Sequence, residues 1–262
     1  MLKKRLIPVL LLQNGLLVRS ELFKTHQIIG NPIHEVQRFN EWNVDELVYL
    51  DISRDDNYDL RRDDAKIKGL GDPLSILSAV AKTCFIPLTW GGRIRTVADM
   101  KERISRGADK ISINSEAVRT PSLITQGAKL FGSQAIVVSI DSGRDAQGNR
   151  EVFIDGGRVP TGLDPIAWAK ECEKRGAGEI LLQVIDRDGA GTGYDLELIG
   201  TMSSALSIPL IACSGVGRFE DYAPAILAGA SAVAAANIWH FKELSDRAGK
   251  RALAKGGIDI RL

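Results

Sequence analysis

Short apolar runs alternate with longer amphipathic segments along this chain, and that alternation constrains the fold more than any other feature. Most of the runs are continuously apolar, which is typical of parallel strands buried on both faces. Helix-length segments such as 96–106 and 165–175 separate them. Eight runs have the length of strands: residues 5–11, 46–51, 86–90, 110–114, 135–141, 179–184, 209–213 and 232–236. A typical (β/α)₈ barrel needs about 250 residues. We therefore predict an α/β fold, a single (β/α)₈ TIM barrel that occupies residues 1–262 as one domain.

The chain also repeats itself. IPLTWGGRIRTVADMKERISRGAD, which starts at Ile86, aligns without a gap with IPLIACSGVGRFEDYAPAILAGAS, which starts at Ile208. ELVYLDISRDD from Glu46 aligns in the same way with EILLQVIDRDG from Glu179. The second and third predicted strands thus match the sixth and seventh. This pattern predicts an internal half-barrel duplication, in which each half carries its own version of any site.

Glycines and small polar residues follow several predicted strands, at the barrel end where function concentrates in this fold. Such residues allow backbone N–H groups to approach an anion. The alternative is that the glycines only form turns between strand and helix. Because the pattern occurs in both halves, we predict two phosphate sites that suit an elongated phosphorylated ligand. Their candidate residues are Gly91, Gly92, Asn114, Ser115, Gly215, Ala236 and Asn237.

Carboxylates stand at strand ends as well. Asp141 closes the apolar run AIVVSID, where an acid is costly unless it is hydrogen-bonded or used. We predict that Asp141 is a general acid–base group, and the alternative is that it orients nearby loops. Asp51, together with Asp188 and Gly189, is expected to bind the phosphorylated substrate at the same end of the barrel. By the half-barrel symmetry the mate of Asp141 is Leu11, so the sequence provides one acid where a symmetric site would have two.

The opposite strand ends carry charges. Arg5, Glu46, Lys110 and Glu179 each stand at or just before an apolar run. Two cations and two anions predict a balanced ring at the bottom of the barrel, which in isolation is most simply a salt-bridge plug.

The composition excludes several classes of protein. The net charge of +1 predicts no nucleic-acid or membrane surface. Three widely spaced cysteines fit a reducing compartment. The apolar run after the N-terminal lysines is short and lacks a small-residue cleavage pattern, so we expect a cytoplasmic protein. The three histidines lack metal-ligand spacing, and we expect neither a metal nor another cofactor. The segment SRDDNYDLRRDD from Ser53 is expected to be a solvated loop.

Long contiguous segments resemble the HisF family, the cyclase subunit of imidazole glycerol phosphate synthase. They include KRLIP at Lys4, DELVYLDI at Asp45, RGADKISIN at Arg106, FGSQAIVVSID at Phe131 and KRGAGEILL at Lys174. The resemblance implies a barrel that uses ammonia from a glutaminase docked at its N-terminal face to cyclise a bis-phosphorylated nucleotide. It implies two central aspartates, at the ends of the first and fifth strands.

The match to this family is uneven along the barrel. Asp141 corresponds to the second aspartate, whereas Leu11 stands in place of the first. The catalytic end also departs from the family pattern at other positions: Val9, Arg19, Arg93, Gln183, Cys213 and Ser214. The resemblance assigns Arg5, Glu46, Lys110 and Glu179 to an ammonia gate and Asp109 to the glutaminase interface.

A retained gate with a changed catalytic end favours a paralogue similar to the WbuZ-like group. Such a chain would activate a HisH-like glutaminase in a heterodimer and channel ammonia through the barrel. A separate sugar amidotransferase would then amidinate a surface-polysaccharide sugar, and the chain's own cyclase activity would be doubtful. The alternative is a functional cyclase subunit of histidine biosynthesis. A third interpretation is a phosphosugar-binding barrel without a partner.

Overall fold

The computed structural model describes residues 3–42, 44–55, 57–59, 71–241 and 245–261. The strands in this part of the chain are β1 (Arg5–Gln13), β2 (Leu16–Glu21), β3 (Thr25–Gly30), β4 (Leu47–Asp51), β5 (Leu88–Gly91), β6 (Lys110–Ile113), β7 (Ile136–Arg144), β8 (Arg150–Ile154), β9 (Val159–Pro160), β10 (Glu179–Val184), β11 (Leu210–Cys213) and β12 (Ala232–Ala235). The helices are α1 (Pro32–Glu41), α2 (Pro73–Thr83), α3 (Val97–Ser105), α4 (Ser115–Arg119), α5 (Ser122–Phe131), α6 (Pro165–Lys174), α7 (Leu196–Ala205), α8 (Tyr222–Leu227), α9 (Ile238–Phe241) and α10 (Ser245–Lys255).

Eight of the strands are parallel and close into a barrel. Their order is β1, β4, β5, β6, β7, β10, β11 and β12, and β12 pairs with β1 to complete the ring. The predicted fold class is confirmed, and all eight predicted strands are present. The largest difference is that the fifth extends from residue 141 to Arg144.

The remaining four strands form two hairpin extensions that the sequence pattern did not predict. β1 continues beyond the barrel and pairs antiparallel with β2, with Leu11 opposite Val18. β7 continues in the same way and pairs with β8, with Asp141 opposite Phe153. Each extension begins at the C-terminal end of the first strand of its half-barrel, β1 or β7.

Side chains alternate between two cores because neighbouring residues of a strand point to opposite faces. The inner cluster fills the barrel and includes Ile7, Val9 and Leu11 of β1. The outer cluster packs the barrel against the helices and contains the large aromatic residues Tyr49 and Trp90, whose stacked rings lie 5.5 Å apart.

The duplication is visible in the turns after β5 and β11. Asp99 Oδ2 accepts hydrogen bonds from the backbone N–H groups of Arg95 and Thr96 at 2.9 and 2.8 Å. Asp221 Oδ2 accepts equivalent bonds from two backbone N–H groups at 2.9 and 3.0 Å, those of Gly217 and Arg218. Equivalent aspartates thus cap equivalent turns in the two halves.

Two further predictions concern loops and membranes. The segment from Ser53 is not wholly solvated, because Tyr58 is buried; residues 56 and 60–64 lie outside the described residues. None of the helices in the described ranges is long and apolar enough to cross a membrane.

Candidate active site

One pocket lies at the C-terminal end of the barrel, which we call the mouth. The sequence predicted most of its lining from strand ends scattered along the chain, and closure of the barrel brings them together. The lining includes Leu11, Asp51, Gly92, Asn114, Ser115, Asp141, Asp188, Gly189, Gly215, Ala236 and Asn237.

Gly91 does not line this pocket, although the sequence placed it in a phosphate site. It lies inside β5, where an added Cβ would approach Leu50 Cδ2 at 2.7 Å and Ser112 Cβ at 2.8 Å. Close packing between neighbouring strands therefore explains this glycine.

Asp141 is the most deeply buried acid among the described residues that line the pocket, with an exposed fraction of 4%. Gln183 Nε2 donates to Asp141 Oδ1 at 3.1 Å and to Ser139 Oγ at the same distance. Burial raises the pKa of Asp141 to about 7; hydrogen bonds from Gln183 and Asn114 oppose this shift, and the nearby Asp188 charge adds to it. A carboxyl group with this pKa can both take up and release a proton near neutral pH.

Leu11 occupies the equivalent place in the other half of the barrel. It pairs with Leu50 of β4, whereas Asp141 pairs with Gln183 of β10. Leu11 belongs to the inner apolar cluster together with Val18 and Leu50. This side of the mouth therefore offers no proton-transferring group at the symmetric position.

Asp51 ends β4 and is held by a small polar cluster. Its side chain accepts hydrogen bonds from the Tyr58 hydroxyl at 2.9 Å and the Ser53 backbone N–H at 3.0 Å. Arg93 Nη1 lies 3.9 Å from Asp51 Oδ2. Burial raises the pKa of Asp51, and the hydrogen bonds and the Arg93 charge partly offset this rise. Sequence reasoning missed Tyr58, because no local pattern shows that its hydroxyl reaches Asp51.

Asn114 and Ser115 follow β6 and connect neighbouring elements. Asn114 Nδ2 donates to the Ser139 carbonyl at 3.0 Å, and Ser115 Oγ accepts from the Asp155 backbone N–H at 2.9 Å. Both side chains thus join β6 to β7 and to the end of β8 while facing the pocket.

The far side of the mouth, over β10 to β12, contacts the β2–β3 hairpin. Ser20 Oγ donates to Asp188 Oδ2 at 2.7 Å, and the Phe23 backbone N–H donates to the same atom at 3.2 Å. Asn237 Nδ2 donates to the Ser20 carbonyl at 2.7 Å, and Asn237 Oδ1 accepts from the Ser20 N–H at 3.3 Å. We call these four bonds the hairpin clasp. The sequence assigned Asp188 and Asn237 to ligand binding and gave no sign of this role.

Four charged side chains form a ring at the opposite end of the barrel. Arg5 Nη1 contacts Glu46 at 2.5 Å and Glu179 at 2.9 Å. Lys110 Nζ contacts the same two carboxylates at 3.1 and 3.2 Å. Since β1, β6 and β10 are not neighbours in the sheet, these bonds span the barrel interior. We call this set the charged ring.

Asp109 precedes Lys110 and is exposed on the same end of the barrel. One of its carboxylate oxygens accepts a hydrogen bond from the Leu88 backbone N–H at 2.8 Å. In the described residues, no group of His, Cys, Asp or Glu side chains could hold a metal ion.

Comparison with known proteins identifies close relatives over the whole chain. The family described as histidine biosynthesis protein matches residues 5–245. A protein of Wolinella succinogenes is 45% identical over 262 residues, covering 100% of this chain and 99% of its own length. Proteins of Natranaerobius thermophilus and Alkaliphilus metalliredigens are each 42% identical and covered completely, as is this chain. All three relatives are named imidazole glycerol phosphate synthase subunit HisF.

Proposed function

This chain belongs to the HisF family of histidine biosynthesis proteins, and from that premise we propose that it is the ammonia-using subunit of an imidazole glycerol phosphate synthase-type complex. The observation that carries the proposal is Asp141, a buried acid with a pKa of about 7 at the mouth of a barrel. The charged ring stands at the other end of the same barrel.

The names of the relatives favour imidazole glycerol phosphate formation over sugar amidination as the reaction of this complex. The three full-length relatives named above are synthase subunits, and none of their names refers to a sugar amidotransferase. We therefore place the cyclase reaction first, with a bis-phosphorylated nucleotide as the substrate.

In this proposal Asp141 moves the protons of the reaction. Addition of ammonia to an electrophilic carbon leaves a proton on nitrogen that the ionised Asp141 accepts. The protonated carboxyl then returns that proton to the group that leaves during cyclisation. A pKa near the working pH makes both steps accessible to one residue.

The partner in this proposal is a HisH-type glutaminase seated on the N-terminal face. The charged ring would stand at the entrance used by ammonia, and the exposed Asp109 would lie in the interface. Above the ring, apolar side chains such as Ile7 and Leu181 line the barrel. They suit passage of a neutral molecule, because an ion would lose its hydration there.

A second candidate function is supported by Leu11. With Leu11 instead of a second acid, the mouth would catalyse cyclisation at a lower rate, since a positioned acid or base contributes on the order of 10²–10⁴-fold in rate. The same complex would then deliver ammonia to another acceptor, such as a polysaccharide sugar held by a separate amidotransferase.

The deciding experiment expresses this chain in a histidine auxotroph that lacks its cyclase subunit. Growth of cells carrying the wild type, and not of cells carrying Asp141→Asn, would support the cyclase. The purified chain is also mixed with its glutaminase, and glutamine hydrolysis and imidazole glycerol phosphate are measured together. Stimulated hydrolysis without that product would favour ammonia delivery elsewhere. Absence of any stimulation would reject both candidates.

A further inference from the structure

Charge is distributed unequally around the mouth. Four arginines and two acids line the side over β4, β5 and β6: Arg54, Arg93, Arg95, Arg119, Asp51 and Glu116. On the side over β10, β11 and β12, Asp188 is the only charged residue among the described residues that line the pocket. The half-barrel repeat therefore preserves the turns and changes their charge, so the two sides present different potentials to a ligand.

Arg93 stands at the centre of this difference. In the turn after β5, Gly92 has a φ of +87° and Arg93 a φ of +56°. The equivalent turn after β11 has Ser214 at +79° and Gly215 at +96°. A side chain at positive φ is strained, and such strain concentrates at functional sites. The first half thus carries an arginine where the second half carries a glycine.

The surroundings of Arg93 hold its guanidinium on the pocket wall. Nη1 lies 3.9 Å from Asp51 Oδ2, and the guanidinium carbon lies 5.5 Å from the centre of the Tyr58 ring. From below, Arg103 Nη2 donates to the Arg93 carbonyl at 3.2 Å. A guanidinium held in this way on the pocket wall is placed to contact a phosphate group that enters the pocket.

On the opposite side, the hairpin clasp occupies one group that an anion would use, the Asn237 side-chain amide. The Asn237 side-chain amide is bonded to Ser20 in both directions. The backbone there is also crowded, since a Cβ added to Gly189 would lie 2.6 Å from the Ser20 carbonyl oxygen. The β2–β3 hairpin therefore packs against Asn237 and Gly189 of the second predicted anion site.

We propose that Arg93 is a specificity-determining residue that makes the anion site over β4, β5 and β6 the dominant one. It fixes which phosphorylated end of an elongated ligand binds on that side. The opposite site contributes less and is reached through the hairpin clasp. This inference rests on the proposed function in one respect, namely that the mouth binds a phosphorylated ligand.

The test is calorimetric titration of the full chain, without its partner, with inorganic phosphate. The wild type is expected to show one dominant site. Arg93→Gly is expected to weaken phosphate binding by about tenfold or more, because it removes a charge-assisted contact. Ser214→Gly, which likewise replaces a positive-φ side chain by glycine in the equivalent turn, is expected to alter the affinity by less than about twofold, since no charge is lost. Arg93→Lys is expected to retain more of the affinity than Arg93→Gly.

Folding does not confuse this test, because glycine suits a φ of +56° and thermal unfolding of each variant is measured in parallel. Two equal sites in the wild type, no binding at all, or equal affinities of the wild type and Arg93→Gly would each overturn the inference. The readout uses no glutaminase and no cyclisation. Phosphate binding as predicted, in a complex that makes no imidazole glycerol phosphate, would therefore reject the proposed function alone. Synthesis of that product with unchanged phosphate binding in Arg93→Gly would reject this inference alone.

Discussion

Asp141 shows how the place of one residue in the barrel sets its chemistry. Its carboxyl group is buried at the mouth, where little water reaches it, and the side-chain amide of Gln183 donates a hydrogen bond to it. Desolvation outweighs this hydrogen bond and the other bonds, so the pKa of Asp141 rises to about 7. An ordinary strand-end carboxylate would remain ionised at neutral pH and could act only as a base.

The pH dependence of stability tests this environment. With a folded-state pKa of about 7 and an unfolded value of about 4, folded Asp141 retains a proton that the unfolded chain has lost between those pH values. The wild type should therefore lose stability relative to Asp141→Asn as the pH rises from about 4 to about 7, and the variant should be the more stable protein at pH 8 or so. Urea unfolding of both proteins across this range measures the difference. The exposed Asp186→Asn serves as the control, and parallel curves for wild type and Asp141→Asn would contradict the prediction.

Leu11 stands at the position symmetric to Asp141, and the question is whether an acid placed there by one substitution is enough for cyclisation. Leu11→Asp places a carboxylate within the inner apolar cluster and should lower the free energy of unfolding by about 2–4 kcal/mol. It should not increase imidazole glycerol phosphate formation, because the resemblance implies that Val9, Arg93 and Gln183 also depart from the family pattern. Leu11→Ala separates the cost of the cavity from that of the charge. Strong synthesis by the single Leu11→Asp variant would refute this expectation.

At the scale of elements, the two hairpins extend equivalent strands and are anchored differently. The β2–β3 hairpin crosses to the other half of the barrel through the hairpin clasp. The β7–β8 extension is tied to the end of β6 through Ser115 and the backbone N–H of Asp155. The first hairpin therefore joins the two half-barrels across the mouth.

Removal of the clasp should loosen the first hairpin and leave the barrel intact. Asn237→Ala removes two hydrogen bonds to Ser20, and each is worth about 1 kcal/mol. Amide hydrogen exchange across β2 and β3 should accelerate, because local opening costs less free energy. Exchange in β10 and β11 should remain as in the wild type. Asn149→Ala, in the turn of the other extension, is the matched control, and an unchanged β2–β3 hairpin in Asn237→Ala would show that the clasp does not hold it.

At the scale of the whole molecule, the charged ring links strands that are not neighbours in the barrel. Its ion pairs connect these strands across the barrel interior at the N-terminal end. Each carboxylate contacts both cations, so the ring is balanced. Its members are mostly buried, with side-chain exposures of 9–20%. Loss of one member therefore leaves an uncompensated charge in a poorly solvated place.

Arg5→Met should reveal this coupling. Two carboxylates would share one ammonium group, and the free energy of unfolding should fall by about 2–4 kcal/mol. If ammonia enters here, the variant in complex with its glutaminase should also yield less product for each glutamine hydrolysed. Lys3→Ala, which breaks an exposed pair with Asp259, is the control and should change neither quantity. A stability loss with unaltered yield per glutamine would leave the ring as a plug and exclude the gate.

The sequence predicted the barrel strands well because each is a locally apolar run, and burial on both faces leaves that mark on the residues themselves. The extensions β2, β3, β8 and β9 were missed. β1 runs into its extension without a break in its apolar pattern, so no local signal separates barrel strand from hairpin there. In β7 the residues after Asp141 are Ser142, Gly143 and Arg144, which are typical of a strand end and do not predict that the strand continues. The candidate site was predicted from strand ends, and of the predicted glycines Gly91 is not among the residues that line the pocket and is closely packed between strands instead.

The sequence by itself determined the eight-fold alternation, the half-barrel repeat, the residues of the charged ring and the leucine, Leu11, at the position symmetric to Asp141. All of these are properties of residue type and of spacing along the chain. Only the tertiary structure decided that Asp188 and Asn237 hold a hairpin, that Tyr58 and Arg93 surround Asp51, and that burial gives Asp141 a pKa of about 7. These contacts join residues that are distant in the chain or depend on desolvation. They arise when the barrel closes, and no local pattern encodes them.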